Sequence, residues 1–339
     1  MSARNIWMKH LFFVSAVAAS SAWTMGARAT VAIEGLNILP TFGSSITSDP
    51  NATAIENTID NAISVYHQDF SNPLNVPIYF TEMSTGLGQS NDSLTSVNYS
   101  DFRSALAAEP TSAVRATALQ YLPNQINEPV PNTTGSNLWL SAANADALVV
   151  SGQLSSNYLS TPQYDGTISL NTSITYTGTS GSPSTYSLET VVMHEINEVL
   201  GLGSALPGYG TSNGLNAPRP EDLYRYAANG ARSFSTSATG SVYFSLNGTT
   251  DLAQFNNTNN GGDYGDWASN PLPSGVSPQV QDAFITGGQN ITLGSNEFAA
   301  LQGIGYVQVP DAAPIALMAL GCSAMMLLAR RRRATAEYR

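Results

Sequence analysis

Apolar residues recur at helical spacing in two stretches of this chain. In the first, Ile55, Ile59, Ala62, Ile63 and Tyr66 fall on one face of a 3.6-residue period. Asp49-Pro50, with Thr53 and Glu56 at capping-box spacing, marks its start. In the second, Leu188, Val191, Val192, Ile196 and Val199 make the stripe of a helix over 187–200. Ser187 is its expected N-cap, Glu189 sits in the first turn where the helix dipole favours an acid, and Gly201 and Gly203 stop it. Shorter helices are expected over 101–108, 112–122 and 295–302. Residues 76–80 and 240–246 are rich in strand formers. Residues 166–176 alternate, with Ile168, Leu170, Ile174 and Tyr176 on one side, the period of a half-buried strand. The span 123–138 carries three prolines and is expected to be a loop. This order of elements predicts an α+β fold with a mixed sheet in a single domain.

The two ends have a different pattern. Arg4 and Lys9, an apolar run over 11–19 and Ala27-Arg28-Ala29 have the layout of a secretory signal peptide over 1–29. Residues 312–329 are an apolar run of about 27 Å as a helix, enough to cross a bilayer. Arg330 to Arg333 follow at once and are expected to stay cytoplasmic. Val309-Pro310-Asp311, the apolar run and the arginine cluster together resemble a PEP-CTERM sorting tail over 309–339. That resemblance implies an exosortase-type processing enzyme as partner and a site of action at or beyond the cell envelope. A plain single-span anchor is the alternative.

Charge narrows the function classes. Charged residues are 11% of the chain, against roughly 25% in an average soluble protein. Between residues 30 and 311 there are five arginines, no lysine and 23 acids. Binding to nucleic acid is excluded, because neutralising phosphates needs clustered Lys and Arg. Cys322 is the single cysteine, so neither an internal disulfide nor a cysteine-based zinc site is expected.

The candidate chemistry lies on the helix over 187–200. His194 and Glu198 are four residues apart and project from one side, so an imidazole and a carboxylate can reach one divalent cation. Glu195 projects beside them, placed to handle a proton rather than to ligate. The arrangement is that of an HExxH zincin helix with Glu in place of the second His. One zinc ion is inferred, bound by His194, Glu198 and a third ligand and lowering the pKa of a water. Asp222 in Pro220-Glu221-Asp222-Leu223-Tyr224-Arg225-Tyr226 is the choice for that third ligand, with Glu221 as alternate. Asp222 is equally placed to cap a helix with Arg225 paired to it. Arg225, with Tyr224 or Tyr226, is the candidate for stabilising an oxyanion. Asp263 and Asp266 in Gly-Gly-Asp-Tyr-Gly-Asp-Trp form either a calcium loop, although EF-hand spacing is absent, or a solvated turn anchored by Trp267. His67 is expected at a helix surface.

HEINEVLG, PEDLYRYAANGARSF, VYFSLNGTTDLAQFN and GDYGDWA together resemble a group of secreted bacterial metalloproteases with a PEP-CTERM tail. SDFRSALAAEPTS and FAALQGIGY extend the resemblance over most of 35–306. It implies a zincin-like catalytic domain over 30–308, one zinc and proteolysis, with roles falling on His194, Glu195 and Glu198. The chain departs from metzincins in lacking the second and third histidines and a Met-turn. The expected cleft lies between the 187–200 helix and the 166–176 strand, with a peptide or protein substrate added alongside that strand. The rivals are an inactive zincin-fold adhesion protein of the envelope or matrix and, less well supported by the His at ligand spacing, a glycan hydrolase using paired carboxylates.

Overall fold

The computed structural model describes residues 35–108, 112–123, 137–150, 154–159, 162–206, 217–236 and 240–309. The signal-like and tail-like segments lie outside those residues. Among the described residues no helix is long and apolar enough to cross a membrane.

The elements run β1 (Leu36–Phe42), α1 (Ser44–Thr47), α2 (Ala52–Asp69), β2 (Leu74–Glu82), β3 (Gly88–Asp92), β4 (Leu94–Asn98), α3 (Tyr99–Ala108), α4 (Ala113–Tyr121), β5 (Asn137–Ser141) and α5 (Ala142–Val150). They continue with β6 (Gly166–Leu170), β7 (Thr175–Tyr176), β8 (Tyr186–Ser187), α6 (Leu188–Leu200), β9 (Arg225–Ala227), β10 (Val242–Phe244), β11 (Ala253–Gln254) and α7 (Ser295–Ile304). A short 3-10 turn, Glu221–Tyr224, precedes β9. This is an α+β arrangement, as the order of sequence patterns predicts.

The main sheet has four strands in the order β1-β2-β6-β3. The first three run parallel and β3 pairs antiparallel with β6. Alternation in β2 buries Leu74, Val76, Ile78 and Phe80, which join Ile38 and Ile168 in the core. β1, α2 and β2 form a βαβ unit whose helix buries Ile55, Ile59, Ala62 and Tyr66. α2 begins after Asn51, whose amide donates to Asp49 Oδ1 at 2.6 Å, two residues later than the Asp49-Pro50 signal.

α6 packs against α2, β3 and β6. The Ser187 hydroxyl accepts from the Thr190 amide at 3.2 Å, a cap worth about 1 kcal/mol. Gly201 ends the helix at φ +116°, with Asn144 Cβ 3.1 Å from where a side chain would start. Only glycine takes that backbone conformation in that space without strain.

The expected strand over 166–176 is shorter than its alternation implied. β6 stops at Leu170, and only Thr175–Tyr176 resume, pairing with β8. β6 is also interior, flanked by β2 and β3. A substrate strand therefore has no free edge on β6, and the edge position on the α6 side belongs to β3.

Asp165, just before β6, is a buried carboxyl held by its main chain between neighbouring strands. Its N–H donates to Pro77 O at 2.8 Å and its C=O accepts from Ser93 N at 3.0 Å, while Oδ2 has no partner. Burial, and then the Asp146 charge, push its pKa from 3.8 to about 7. The folded chain thus holds this proton more tightly than the unfolded chain does. The stability Asp165 contributes is full below about pH 4 and is lost as pH rises towards about 7. Asp165→Asn is expected to melt higher than wild type at pH 8 and at the same temperature at pH 4. Parallel melting curves at both pH values check this.

Candidate metal centre

α6 presents His194 and Glu198 one turn apart, with Nε2 and Oε1 at 3.6 Å. The Gly261–Trp267 loop brings Asp266 Oδ1 to 3.7 Å from the same imidazole nitrogen. One ligand atom from each of His194, Glu198 and Asp266 lies within 4.8 Å of the others. Donors at 2.0–2.2 Å around a tetrahedral ion stand about 3.4 Å apart, so the group has the span that a metal ion needs. This buried cluster could hold a metal ion.

Each donor is held from behind. His194 Nδ1 is 2.9 Å from Val280 O, an acceptor only, so Nδ1 carries a hydrogen and Nε2 is the nitrogen turned to the cluster. The Ser90 hydroxyl of β3 donates to Glu198 Oε2 at 2.5 Å, leaving Oε1 towards the centre. Gln281 Nε2 donates to Asp266 Oδ1 at 3.0 Å, and the Asp263 amide to Oδ2 at 3.3 Å.

Glu195 stands beside the three and is buried. Its Oε2 has no hydrogen-bond partner, and its Oε1 packs against Gly88 of β3. A Cβ at residue 88 would fall 2.3 Å from that oxygen and 2.7 Å from Val191 Cγ1, so only glycine lets the edge strand approach the helix this closely.

Three carboxylates surround one imidazole out of water. Burial alone would lower the His194 pKa, but the Asp266 charge and the Glu198 hydrogen bond and charge outweigh it and hold it well above 6.5. Burial, and then the Glu198 charge, push Glu195 well above the usual carboxylate range. Burial works to raise Glu198 too, but its hydrogen bond and charge pairing with His194 bring it below its ordinary value. Burial takes Asp266 to about 7 despite the opposing pull of His194. A buried site so rich in negative charge gains from a divalent cation.

The cluster opens on a cleft of about 760 Å³, within the size range of small-ligand and substrate sites. Its walls come from residues 86–90, α6, the 259–264 loop and residues 282–285. The cleft therefore adjoins α6 and β3; of the 166–176 stretch expected to border it, Ile174 lines it and β6 does not.

The third member of the cluster differs from the expected one. Asp222 is buried with both oxygens taken. Oδ1 accepts from the Ser204 hydroxyl at 2.5 Å, and Oδ2 accepts from the Ala205 and Arg219 amides at 3.0 and 2.9 Å. It fastens the chain that leaves α6. The alternate, Glu221, accepts from the Gly203 amide at 2.5 Å, and burial pushes its pKa well up. Neither is in the cluster.

Arg225 and Tyr226 are also placed elsewhere than the expected oxyanion role requires. Arg225 is fully buried, donates to Tyr264 O and to Asn257 Oδ1 at 3.1 Å, and stacks 4.4 Å over Phe255. It braces the loop that carries Asp266. The Tyr226 hydroxyl accepts from Arg232 at 2.6 Å, and the Tyr224 hydroxyl donates to Gly303 O at 2.6 Å. None of the three lines the cleft. His67 Nδ1 is 3.3 Å from Leu36 O, at the end of α2. Asp266, which the sequence offered as a calcium or turn residue, faces an imidazole, a donor that calcium disfavours.

Comparison with known proteins returns no match to a family model, to a curated protein or to a solved structure.

Proposed function

We propose that this chain is a zinc-dependent peptidase of zincin-like design. The observation that carries the reading is the donor group of His194, Glu198 and Asp266, with Glu195, whose Oε2 has no hydrogen-bond partner, beside it, all lining one cleft. An imidazole with two carboxylates suits zinc, which accepts nitrogen and oxygen ligands in tetrahedral geometry. When bound, the ion supplies Lewis acidity, polarising a carbonyl and lowering the pKa of a water.

The chain's own groups supply the remaining steps. Glu195 accepts the proton of the attacking water and later delivers it to the leaving amine, as its place beside the three donors allows. β3, at the sheet edge, offers main-chain hydrogen bonds to an extended peptide and so replaces the strand expected from the sequence. Gly88 keeps that strand close enough to α6 to set the peptide over Glu195. The signal-like start and the sorting-like tail support an enzyme that works outside the cytoplasm or at the envelope.

The test is chelation. The purified full chain is expected to cleave denatured casein, to lose that activity on treatment with 1,10-phenanthroline, and to regain it with one equivalent of Zn²⁺. Cleavage indifferent to the chelator, or no cleavage by zinc-loaded protein, overturns the reading. Zinc binding without cleavage favours the inactive adhesion protein.

A further inference from the structure

The polar residue inside the helix motif, Asn197, points away from the cleft and is fully buried. Its Oδ1 accepts from the Tyr66 hydroxyl on α2 at 2.8 Å, a proton shared with Met193 O at 2.7 Å. Its Nδ2 donates to Gln281 Oε1 at 3.0 Å. Gln281, also fully buried, then donates through Nε2 to Asp266 Oδ1 at 3.0 Å.

This is an unbroken chain of side-chain hydrogen bonds from α2, through α6, to the candidate ligand. Its direction is set. Turning the Gln281 amide over would put its oxygen against the Asp266 carboxylate and its NH₂ against the NH₂ of Asn197. The Gln281 main chain is fixed as well. Its N–H donates to Glu297 Oε1 at 3.2 Å, and the same oxygen accepts from Trp267 Nε1 at 3.2 Å. One buried carboxylate on α7 thus locks the residue after Asp266 and the residue after Val280, whose carbonyl holds His194.

We infer that Gln281, backed by Asn197 and Tyr66, is a positioning residue that aims Asp266 Oδ1 at the metal centre. The physical reason is the loop origin of Asp266. His194 and Glu198 are aligned by the helix they share, whereas a carboxylate on a glycine-rich loop has several rotamers open to it. A donor fixed to α6 removes that freedom before the ion arrives, and groups of this kind typically contribute 10–100-fold in metal affinity.

The inference rests on the proposed metal site, and the experiment separates the two. Zinc affinity of the full chain is measured by competition with a chromophoric chelator for wild type, Gln281→Leu and Tyr66→Phe. The visible spectrum of the Co²⁺ form and the melting temperature of the metal-free form are recorded alongside. Gln281→Leu is expected to bind zinc about 10–100-fold more weakly and to change the Co²⁺ spectrum. Tyr66→Phe keeps the ring packing and removes only the far hydroxyl, so it is expected to fold like wild type and to show a smaller loss in the same direction. Unchanged zinc affinity and Co²⁺ spectrum in both variants, whatever the metal-free melting temperature, overturns the positioning role and leaves the metal site standing. If wild type binds no zinc, the site itself fails and this inference fails with it.

Discussion

Glu195→Gln is expected to bind zinc as wild type does and to cleave peptide about 10²–10⁴-fold more slowly, the span that a positioned acid–base group contributes. Glutamine fills the same space against Gly88 and Val191, where even one added carbon would collide, so the helix and the donors beside it stay in place. What it removes is the ability to accept a proton. Glu195 Oε2 has no other duty, since no hydrogen bond reaches it in the fold. Loss of turnover with metal retained therefore isolates the proton-transfer role. Undiminished turnover in a metal-loaded Glu195→Gln protein removes that role.

Asp266→Ala and Asp222→Ala are expected to fail in opposite ways. Removing Asp266 takes away one of three donors, so zinc affinity falls by more than the roughly 10–100-fold that outer-shell changes cause. In the metal-free protein the loss of the acceptor for Gln281 Nε2 and the Asp263 amide is offset by removal of a carboxyl raised by burial, so its melting temperature should move less than that of Asp222→Ala. Removing Asp222 leaves the Ser204 hydroxyl and the Ala205 and Arg219 amides without their acceptor. Each such orphaned buried donor costs about 1–3 kcal/mol. Asp222→Ala should melt well below wild type at every metal concentration, yet the folded fraction should bind zinc with wild-type affinity. Zinc titrations paired with melting curves on both variants decide it. Loss of affinity in Asp222→Ala but not in Asp266→Ala reverses the assignment.

The contrast between these two aspartates also shows what a sequence can carry. α2 and α6 were legible because each has an apolar stripe and start or stop signals, and Ser187 caps α6 as expected of it. α5 was not, because Ala142, Ala143, Asn144, Ala145, Ala147 and Leu148 are all buried and a helix enclosed on every side has no stripe. β3, Gly-Gln-Ser-Asn-Asp, lacks the apolar alternation of a strand because it is the polar edge of the sheet.

The same limit governs the site. His194 and Glu198 were legible together because one helix turn fixes their distance. The third donor arrives from a distant loop, and nothing local separates Asp222 from Asp266. Both are acids in turns beside aromatic residues. What separates them is which carboxylate the fold already uses. The Arg219 amide that engages Asp222 is three residues away, but the Ala205 amide and the Ser204 hydroxyl lie on the chain leaving α6, a relation that appears only after the chain folds. The Asp-Leu-Tyr-Arg-Tyr segment still serves the centre indirectly, since Arg225 holds the Tyr264 carbonyl two residues before Asp266.

The central claim is that three side chains from one helix and one loop grip a single cation. The most direct measurement is anomalous diffraction at the zinc edge from crystals of the full chain grown with one equivalent of Zn²⁺. The account predicts one peak about 2.0–2.2 Å from His194 Nε2, a Glu198 oxygen and an Asp266 oxygen. A peak ligated by Asp222, or no peak between His194 and Asp266, contradicts it.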